Sequence, residues 1–421
     1  MQISLVGLNH RSTPVTIREK AAITTRGLRD SLESLRACVS HGVLLSTCNR
    51  TEVYTVTSGD DQGTAVSLNF LQNYLDIAHH TLHIYTYMFE GKAAVEQLFN
   101  VTCGLDSMII GEYEVLGQVR QALEAAEEAE MVSLPLRRLF QSAIRAGRRV
   151  REETGISKNA LSVSSVAVEL AAKAIGNLAD CKMLVIGAGE AGRLAARAAK
   201  ERGVPQIVVA SRTRERASEL AVELGGLPIS LNGVAEGLTN CNLVVTCADA
   251  PHHLLDVSNV EAAVRQRPES PLVIIDIAVP RNVASAVAQI NNVFLYNIDD
   301  LTTISEQNRK QREGEIEKAG EIIAAEVKEF FAWWQDLEVR PVVAALMKKA
   351  EEIRRSHINR TLKKLPPLSE EDRYSLEMMT RTIVTKILKE PIRNLKANGR
   401  HAPGYADMVR DLFHLDIEKG K

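Results

Sequence analysis

The segment "CKMLVIGAGEAG" restricts the fold of this chain more than any other stretch of its sequence. An apolar strand runs into a G-x-G-x-x-G turn, and the helical pattern "RLAARAAKERG" and a second strand, "QIVVAS", follow. Such glycines permit a tight turn and the close approach of a pyrophosphate, which the first N–H groups of the helix can bind. With further strands at "NLVVTCA" and "PLVIIDIA", the pattern predicts a doubly wound, Rossmann-type dinucleotide domain over residues 156–300. The predicted cofactor contacts are Gly187, Ala188, Gly189, Glu190, Ala191 and Gly192.

The residues after the second strand indicate which dinucleotide is bound. An NAD site usually ends this strand with Asp or Glu, whose carboxylate accepts hydrogen bonds from the ribose. Here the strand ends in Ser211, Arg212 and Thr213. A guanidinium and two hydroxyls suit a 2′-phosphate, so these residues predict NADPH rather than NADH. The alternative is that Arg212 is a solvated cation in a loop.

The length of 421 residues exceeds what one core organises and predicts two or three domains. Residues 2–89 show the order strand, helix, strand, strand, helix, strand, which is that of a ferredoxin-like α+β unit. The predicted bounds of these elements are 2–7, 25–38, 43–46, 51–57, 64–77 and 84–89. Helical patterns continue to Arg151, so a first, catalytic domain is predicted over residues 1–155.

A helical region follows the dinucleotide domain. Residues 301–340 contain no proline, and apolar residues recur at three- and four-residue steps: Ile316, Ala319, Ile323, Val327, Phe330 and Trp334. This pattern predicts one long amphipathic linking helix. Beyond Pro341, two more helical stretches predict a helical dimerisation domain over 341–421, with one apolar face made by Leu376, Met379, Ile383 and Ile387. The predicted fold is therefore multidomain and combines α/β and α+β parts.

Charge and cysteine content argue against several classes of protein. The 51 basic and 53 acidic residues give a net charge of -2, so the overall charge does not indicate a nucleic-acid binder, although a local patch could serve as one. Six scattered cysteines without a Cys-x-x-Cys pair, and a start that resembles a strand rather than a signal peptide, predict a reduced, cytoplasmic protein. No apolar run approaches the roughly 18 residues that cross a bilayer, so no membrane association is predicted.

The stretch "VLLSTCNRTEVY" places Cys48 in the connection between two predicted strands. A thiolate there could attack an activated carboxyl group, hold the acyl group as a thioester and present it to a hydride donor, which yields an aldehyde. Arg50, two residues later, could lower the pKa of the thiol or bind a substrate carboxylate. Cys48 could equally be a packing residue, because free cysteine is among the most buried residue types.

Two further clusters have both a functional and a structural explanation. His79, His80 and His83 have the spacing of metal ligands, but no carboxylate or cysteine completes the set, and surface histidines are the preferred interpretation. In the predicted helix from Leu134 to Arg151, five arginines fall within roughly 120° of a helical wheel. They form either a solvated face or a footprint for a phosphate backbone: Arg137, Arg138, Arg145, Arg148 and Arg149.

These motifs together resemble the glutamyl-tRNA reductase family along essentially the whole chain. The resemblance rests on "GLNHRSTPVTIREK", "LLSTCNRTEVY", "GLDSMIIGEYEVLGQV", "SAIRAGRRVREETGISKNALSVSSVAVELA", "VIGAGEAG", "IDIAVPRNV" and "YNIDDL". It implies NADPH-dependent reduction of glutamyl-tRNA(Glu) to glutamate-1-semialdehyde with release of tRNA, the first step of tetrapyrrole biosynthesis by the glutamate route. It also implies a homodimer and makes a partnership plausible with the aminomutase that consumes the aldehyde.

The resemblance also assigns roles to individual residues. Cys48 would attack the ester carbonyl that joins glutamate to its tRNA and form the glutamyl thioester that NADPH reduces. Contacts with the glutamyl group are implied for Thr47, Asn49, Arg50, Ser107, Glu112, Tyr113, Glu114 and Gln118.

The chain departs from the family pattern at two positions. Family members commonly have a histidine that influences activity where this chain has Gln97, which leaves water, His10 or an acidic thiol to manage the proton. They usually have glutamine where this chain has Glu114, and a carboxylate there would repel the glutamate side chain unless it is paired or turned away.

Two other functions fit part of the pattern. An NADP-dependent semialdehyde dehydrogenase also combines a cysteine, a thioester and a dinucleotide domain, but such enzymes place the glycine turn before the nucleophile, and here the order is reversed. A non-enzymatic, NADPH-sensing, tRNA-binding scaffold would use the same folds with Cys48 as a core residue.

Overall fold

The computed structural model describes residues 1–24, 27–57, 63–77, 79–157, 162–301, 312–398 and 405–415. The chain divides into two units, Met1–Glu326 and Val327–Lys421. Within the described ranges, no helix has the length and apolar character needed to cross a membrane.

The first unit begins with a four-stranded antiparallel sheet. Its strands are β1 (Gln2–Asn9), β2 (Gly42–Ser46), β3 (Arg50–Thr57) and β4 (Tyr87–Glu90). Their order, β2-β3-β1-β4, is that of a ferredoxin-like sheet, so the predicted fold of this region is confirmed. The register opposes Gly7 to both Glu52 and Tyr87, and a Cβ atom at position 7 would lie 2.8 Å from the Glu52 side chain. Glycine at position 7 thus makes room for two side chains of the site described below.

Helices connect the strands of this sheet: α1 (Val15–Ala21), α2 (Leu28–Arg36), α3 (Gly63–Leu75) and α4 (His79–Tyr85). The strand predicted over 84–89 overlaps the end of α4, and β4 starts only at Tyr87. The prediction was wrong here because a short apolar run does not distinguish a helical turn from a strand. The residues of β4, 87–90, are the ones that find partners in β1.

The rest of the first domain is helical: α5 (Lys92–Thr102), α6 (Glu114–Glu128) and α7 (Leu134–Glu153). Helix α7 packs on the sheet through Phe140, whose ring meets Tyr54 edge-on with centroids 5.4 Å apart. Gly147 permits a close approach of α7 to α5, because a Cβ atom there would lie 2.9 Å from the carbonyl oxygen of Thr102.

The second domain of this unit contains a six-stranded parallel sheet. Its strands are β5 (Lys182–Ile186), β6 (Gln206–Ser211), β7 (Leu227–Ser230), β8 (Leu243–Thr246), β9 (Leu272–Asp276) and β10 (Val293–Asn297). The helices that cover it are α8 (Val163–Ile175), α9 (Glu190–Glu201), α10 (Arg214–Leu224), α11 (Val234–Asn240) and α12 (Val257–Arg265). The order β10-β9-β8-β5-β6-β7 is that of a doubly wound dinucleotide domain, as predicted. It reverses direction between β5 and β8, where such domains bind their ligands.

Helix α13 (Glu313–Leu362) is longer than the predicted linking helix. The predicted end at Arg340 was wrong, because the helix continues through Pro341; residues 302–311 of the predicted helix lie outside the described residues. The predicted apolar stripe is largely buried, from Ala319 to Trp334. A proline inside a helix costs about 3 kcal/mol. Burial of Val339 and Val342 on either side of it offsets that cost.

The second unit also contains α14 (Glu370–Asn398) and α15 (Tyr405–Leu412). Its small core consists of Val339, Val342, Leu346, Leu388, Leu395 and Leu415. The predicted apolar face of α14 lies outside this core, since Met379, Ile383 and Ile387 are exposed. Ile383 and Ile387 line an apolar groove of about 390 Å³. A largely uncovered apolar face of this kind suits association with another subunit.

Candidate active site

Cys48 lies at the tip of a tight turn between β2 and β3. The Thr47 hydroxyl accepts hydrogen bonds from the backbone N–H groups of Asn49, at 3.1 Å, and Arg50, at 3.2 Å. The Thr47 N–H donates to the Arg50 carbonyl oxygen at 2.8 Å. The turn leaves the Cys48 side chain half-buried at the boundary with the dinucleotide domain.

Arg50 does not extend toward the thiol. One of its terminal nitrogens, Nη1, donates to Glu52 Oε1 at 2.9 Å and to Asp106 Oδ2 at 2.8 Å, and Nη2 donates to the Asp106 carbonyl oxygen at 2.5 Å. The residue is buried, at 3% exposure. The structure therefore supports neither role predicted for Arg50, as a cation that acidifies Cys48 or as a free clamp for a substrate carboxylate. Arg50 anchors the base of the turn.

Gln97 belongs to the same buried network. Its Nε2 donates to Asp106 Oδ2 at 2.8 Å and to Glu52 Oε1 at 3.3 Å. The hydroxyls of Tyr54 and Tyr87 donate to Glu52 at 2.7 and 2.6 Å. Asp106 also forms an ion pair with the exposed Arg11, at 2.9 Å. Gln97 is thus connected to the Cys48 turn through the Glu52 and Asp106 carboxylates, which both bind Arg50.

The Cys48 thiol is weakly acidic. Burial and the neighbouring carboxylates of Glu112 and Glu114 raise its pKa from 9.0 to about 12, while Arg18 opposes them. These surroundings disfavour an acidic thiol, which was one of the predicted ways to manage without the family histidine. Arg18 was not singled out from the sequence, although it lies in the motif "GLNHRSTPVTIREK".

The segment 112–114 supplies the carboxylates beside the thiol. Burial raises the pKa of Glu112, and a hydrogen bond with Ser107 partly offsets this effect. Burial, Glu112 and Glu190 raise the pKa of Glu114 to about 7. Glu114 is thus close to half-protonated at neutral pH, which weakens the repulsion of a substrate carboxylate expected from the sequence.

Two other predicted contacts lie at the edge of the site. Tyr113 is exposed, and its hydroxyl donates to the Ser157 carbonyl oxygen at 3.1 Å. Gln118 lines a cleft of about 730 Å³ that also includes Ser46, two residues before Cys48. The structure gives neither side chain a contact with the thiol.

His10 adjoins the Cys48 turn through a hydrogen bond from its backbone N–H to the Asn49 carbonyl oxygen, at 2.9 Å. Burial, with Arg50, Arg11 and Arg18, lowers the pKa of His10 to about 4. Its Nδ1 and the Asn49 Oδ1 are buried without partners among the described residues. The neutral His10 imidazole and the Asn49 side-chain oxygen could therefore each form a hydrogen bond with a substrate.

The glycine turn of the second domain has the shape that a dinucleotide requires. A Cβ atom at Gly192 would lie 1.9 Å from the Gly187 carbonyl oxygen, and Gly187 has a φ of +121°. A Cβ atom at Gly189 would meet nothing within 4 Å, so the turn is open on that side. Helix α9 begins directly afterwards, at Glu190. An open glycine turn at a helix N-terminus fits a pyrophosphate.

The predicted residues for the adenosine phosphate lie at the carboxyl end of β6. Ser211 is its last residue, and its hydroxyl accepts a hydrogen bond from the Thr213 N–H at 3.3 Å. The Arg212 side chain is exposed. This placement suits a ligand bound across the ends of β5 and β6.

The Cys48 turn and the glycine turn belong to the same unit. Cys48, Ala188 and Ala191 each pack against its large apolar cluster, which extends from Val15 to Leu301. The Glu114 carboxylate acts on the Cys48 thiol, and Glu190, at the start of α9, raises the pKa of Glu114. Glu114 therefore links the two turns electrostatically.

The histidine cluster and the arginines of α7 were the two other candidate sites in the sequence. Among the described residues, no three His, Cys, Asp or Glu side chains form a group that could hold a metal ion. The side chains of His79 and His80 lie outside the described residues. On α7, Arg137 forms an ion pair with Glu127, Arg145 with Glu326, and Arg149 with both Glu153 and Glu326.

Three family models match consecutive parts of the chain. Residues 6–154 match the glutamyl-tRNA(Glu) reductase N-terminal domain, and residues 318–415 match the glutamyl-tRNA(Glu) reductase dimerisation domain. Residues 169–304 match shikimate/quinate 5-dehydrogenase, a family whose dinucleotide domain binds a nicotinamide cofactor.

Relatives that match over nearly their whole length are named glutamyl-tRNA reductase. The glutamyl-tRNA reductase of Carboxydothermus hydrogenoformans is 38% identical over 99% of this chain and 94% of the relative. That of Moorella thermoacetica is 40% identical over 99% of this chain and 96% of the relative. The solved structure of glutamyl-tRNA reductase from Methanopyrus kandleri covers 95% of this chain and 99% of its own, at 34% identity and a TM-score of 0.46.

The matches to the family models and to the relatives from Carboxydothermus hydrogenoformans and Moorella thermoacetica extend over all the predicted domains. They favour an oxidoreductase over the scaffold, and a reductase of the predicted kind over a semialdehyde dehydrogenase. The chain belongs to the glutamyl-tRNA reductase family.

Proposed function

We propose that this protein uses NADPH to reduce the glutamyl group of glutamyl-tRNA(Glu) to glutamate-1-semialdehyde, with release of tRNA, through a thioester on Cys48. This is the first step of tetrapyrrole biosynthesis. The observation that supports it best is that Glu114 acts on the Cys48 thiol and is itself acted on by Glu190, the first residue of the helix after the glycine turn.

The reaction divides into an acyl transfer and a reduction. The Cys48 sulfur loses its proton and attacks the ester carbonyl; the ribose oxygen of tRNA leaves and takes up a proton. NADPH held at the glycine turn would supply the hydride that the carbonyl carbon of the thioester accepts. The C–S bond then breaks, the aldehyde leaves and the sulfur regains a proton, so Cys48 ends as it began.

The weakly acidic thiol needs a proton acceptor at neutral pH. His10 and Glu114 are proposed to serve as this acceptor. His10 is neutral because its pKa is lowered to about 4, and Glu114 exchanges protons readily because its pKa is about 7. Either group can return the proton to the leaving ribose oxygen.

The glutamyl group is proposed to occupy the space beside the Cys48 turn. Asn49 Oδ1, which has no partner within the described part of the chain, can accept a hydrogen bond from its α-ammonium group, and the Glu112 carboxylate adds a favourable charge. Thr47 and Arg50 shape the turn, and Ser107 orients Glu112. Tyr113, Glu114 and Gln118 are proposed to close the pocket around the substrate.

NADPH is proposed as the cofactor because Arg212 provides a cation where NAD sites place a carboxylate. Gly187, Ala188, Gly189, Glu190, Ala191 and Gly192 would hold its pyrophosphate, and Ser211, Arg212 and Thr213 its 2′-phosphate. The dimerisation domain supports a homodimer as the working form. We further propose a cytoplasmic location and transfer of the reactive aldehyde to an aminomutase.

The test is to mix the protein with tRNA carrying radiolabelled glutamate in the absence of NADPH. Label should attach to the wild type but not to Cys48→Ser, and should leave as the aldehyde when NADPH is added. If the wild type takes no label and forms no aldehyde on addition of NADPH, the thioester mechanism is refuted.

A further inference from the structure

Helix α1 carries a buried arginine that contacts both domains of the first unit. The Arg18 side chain is 2% exposed. Its Nη1 donates to the Cys48 carbonyl oxygen at 3.2 Å, and its Nη2 forms an ion pair with Asp299, in the turn Ile298–Leu301 after β10. One guanidinium thus links the nucleophile's turn to the dinucleotide domain.

The next residue of α1 makes a second link. Glu19 accepts two hydrogen bonds from Arg281, at 2.7 and 2.8 Å, and the two side chains are 21% and 17% exposed. The adjacent Asn282 exchanges hydrogen bonds with the backbone of Ala248, at 2.8 and 3.1 Å. The Ala248 N–H lies against Gly187, where a Cβ atom would approach it to 2.9 Å. Contacts therefore run continuously from α1 to the glycine turn.

Apolar packing accompanies these ion pairs. Val15 of α1 is buried in the same cluster as Met108 and Ile109 of the first domain and Ile277 of the second. Apolar burial stabilises the contact but does not fix its register, because it has no preferred direction. A charge pair with bidentate geometry fixes register as well.

The two steps of the reaction differ in how strongly they depend on the relative position of the two domains. Formation of the thioester requires Cys48 and the ester of the substrate. Reduction also requires the hydride donor, held by the other domain, within about 3–3.5 Å of the thioester carbon. We propose that Arg18 and Glu19 are positioning residues that hold the dinucleotide domain in register with the Cys48 turn, so that their ion pairs with Asp299 and Arg281 control reduction of the thioester. This inference rests on the proposed function.

Glu19 provides the sharper test, because it does not contact Cys48. The variants remove a charge rather than reverse it. A reversed charge at position 281 would also be repelled by Asp276 and Asp299, which both act on Arg281. The full-length proteins to compare are wild type, Glu19→Gln, Arg281→Gln and the double variant. Glu261→Gln, in the exposed ion pair with Arg265 on α12, is the matched control.

Each protein is first labelled from tRNA carrying radiolabelled glutamate without NADPH, and the rate of attachment is measured. NADPH is then added, and release of labelled aldehyde is followed in a single turnover. Glu19→Gln and Arg281→Gln should take label within about twofold of wild type and should release aldehyde about tenfold more slowly, as expected for loss of one close interdomain charge pair. The double variant should be no slower than either single variant. Glu261→Gln should match wild type in both steps.

Three results would overturn the coupling: unchanged aldehyde release in Glu19→Gln, an equal loss in both steps, or losses that multiply in the double variant. Asp299→Asn, which breaks the other pair, should slow aldehyde release in the same way and guards against a misfolded Glu19 variant. Absence of label on the wild type would instead refute the thioester mechanism, so the two failures are distinguishable.

Discussion

The weak acidity of Cys48 leads to a quantitative prediction for the free protein. Burial, Glu112 and Glu114 raise the pKa of Cys48 from 9.0 to about 12. This rise favours the thiol over the thiolate by about 4 kcal/mol. At pH 8 the thiolate fraction would be about 10⁻⁴ instead of about 10⁻¹, since each pH unit below the pKa is tenfold.

A thiolate of higher pKa is also a better nucleophile. This effect offsets the smaller thiolate fraction by roughly 20-fold in rate. Alkylation of Cys48 by iodoacetamide at pH 8 should therefore be about 50-fold slower than that of a thiol with a pKa of 9.0. The rate should rise about tenfold per pH unit from pH 7 to 10 without a plateau, since the thiolate fraction rises in this proportion.

The assay is timed alkylation followed by peptide mapping, which follows each cysteine separately. Cys38 is exposed and reports reagent activity in the same samples. Glu114→Gln, which installs the usual family residue, should speed alkylation of Cys48, because it removes a carboxylate that raises the pKa of the thiol. The gain should be present above pH 7 and should fade below it, where Glu114 itself becomes protonated. Glu128→Gln, at the exposed end of α6, should change nothing.

A plateau of the alkylation rate below pH 9 would refute this reasoning, because it would mean that the thiol ionises readily despite its surroundings. An unchanged or slower rate in Glu114→Gln at pH 8 would show that its carboxylate does not act on Cys48.

Two further predictions concern Gln97 and Arg212. Gln97→Ala should lower the free energy of unfolding by about 1–3 kcal/mol in urea titrations, because Glu52 and Asp106 each lose a buried donor; a loss no greater than that of Gln121→Ala, at an exposed position on α6, would contradict the role of the network. Arg212→Ala should raise the KM for NADPH about tenfold or more and leave that for NADH nearly unchanged, because a charge-assisted contact with the 2′-phosphate is lost; an equal change for both cofactors in steady-state assays would show that Arg212 does not select between them.

The sequence shows the dinucleotide domain clearly because its signal is local. Strand, glycine turn, helix and strand follow one another from Cys181 to Ser211, and each is recognisable from spacing alone. The ferredoxin-like order was recoverable for the same reason, apart from β4, whose short apolar run has no distinctive period. The motif around Cys48 likewise identified the turn and the candidate nucleophile from contiguous residues.

Pairings between distant residues were decided only by the tertiary structure. Arg50 meets Asp106, 56 residues away, and Arg18 meets Asp299, 281 residues away, so neither partner could be read from spacing along the chain. Helix α13 passes Pro341 because burial of Val339 and Val342 in the core of the second unit offsets the local cost.

The protonation of Cys48 shows what the sequence determines and what the tertiary structure decides. The sequence places Arg50 two residues from the thiol, where it could lower the pKa of Cys48 or bind a substrate carboxylate. The fold turns that arginine toward two carboxylates and brings Glu112 and Glu114 to the thiol instead. A pKa depends on burial and on charges within several ångströms in space, and sequence separation does not measure either quantity. The sequence by itself therefore determined which residue is the candidate nucleophile, and only the tertiary structure decided its protonation.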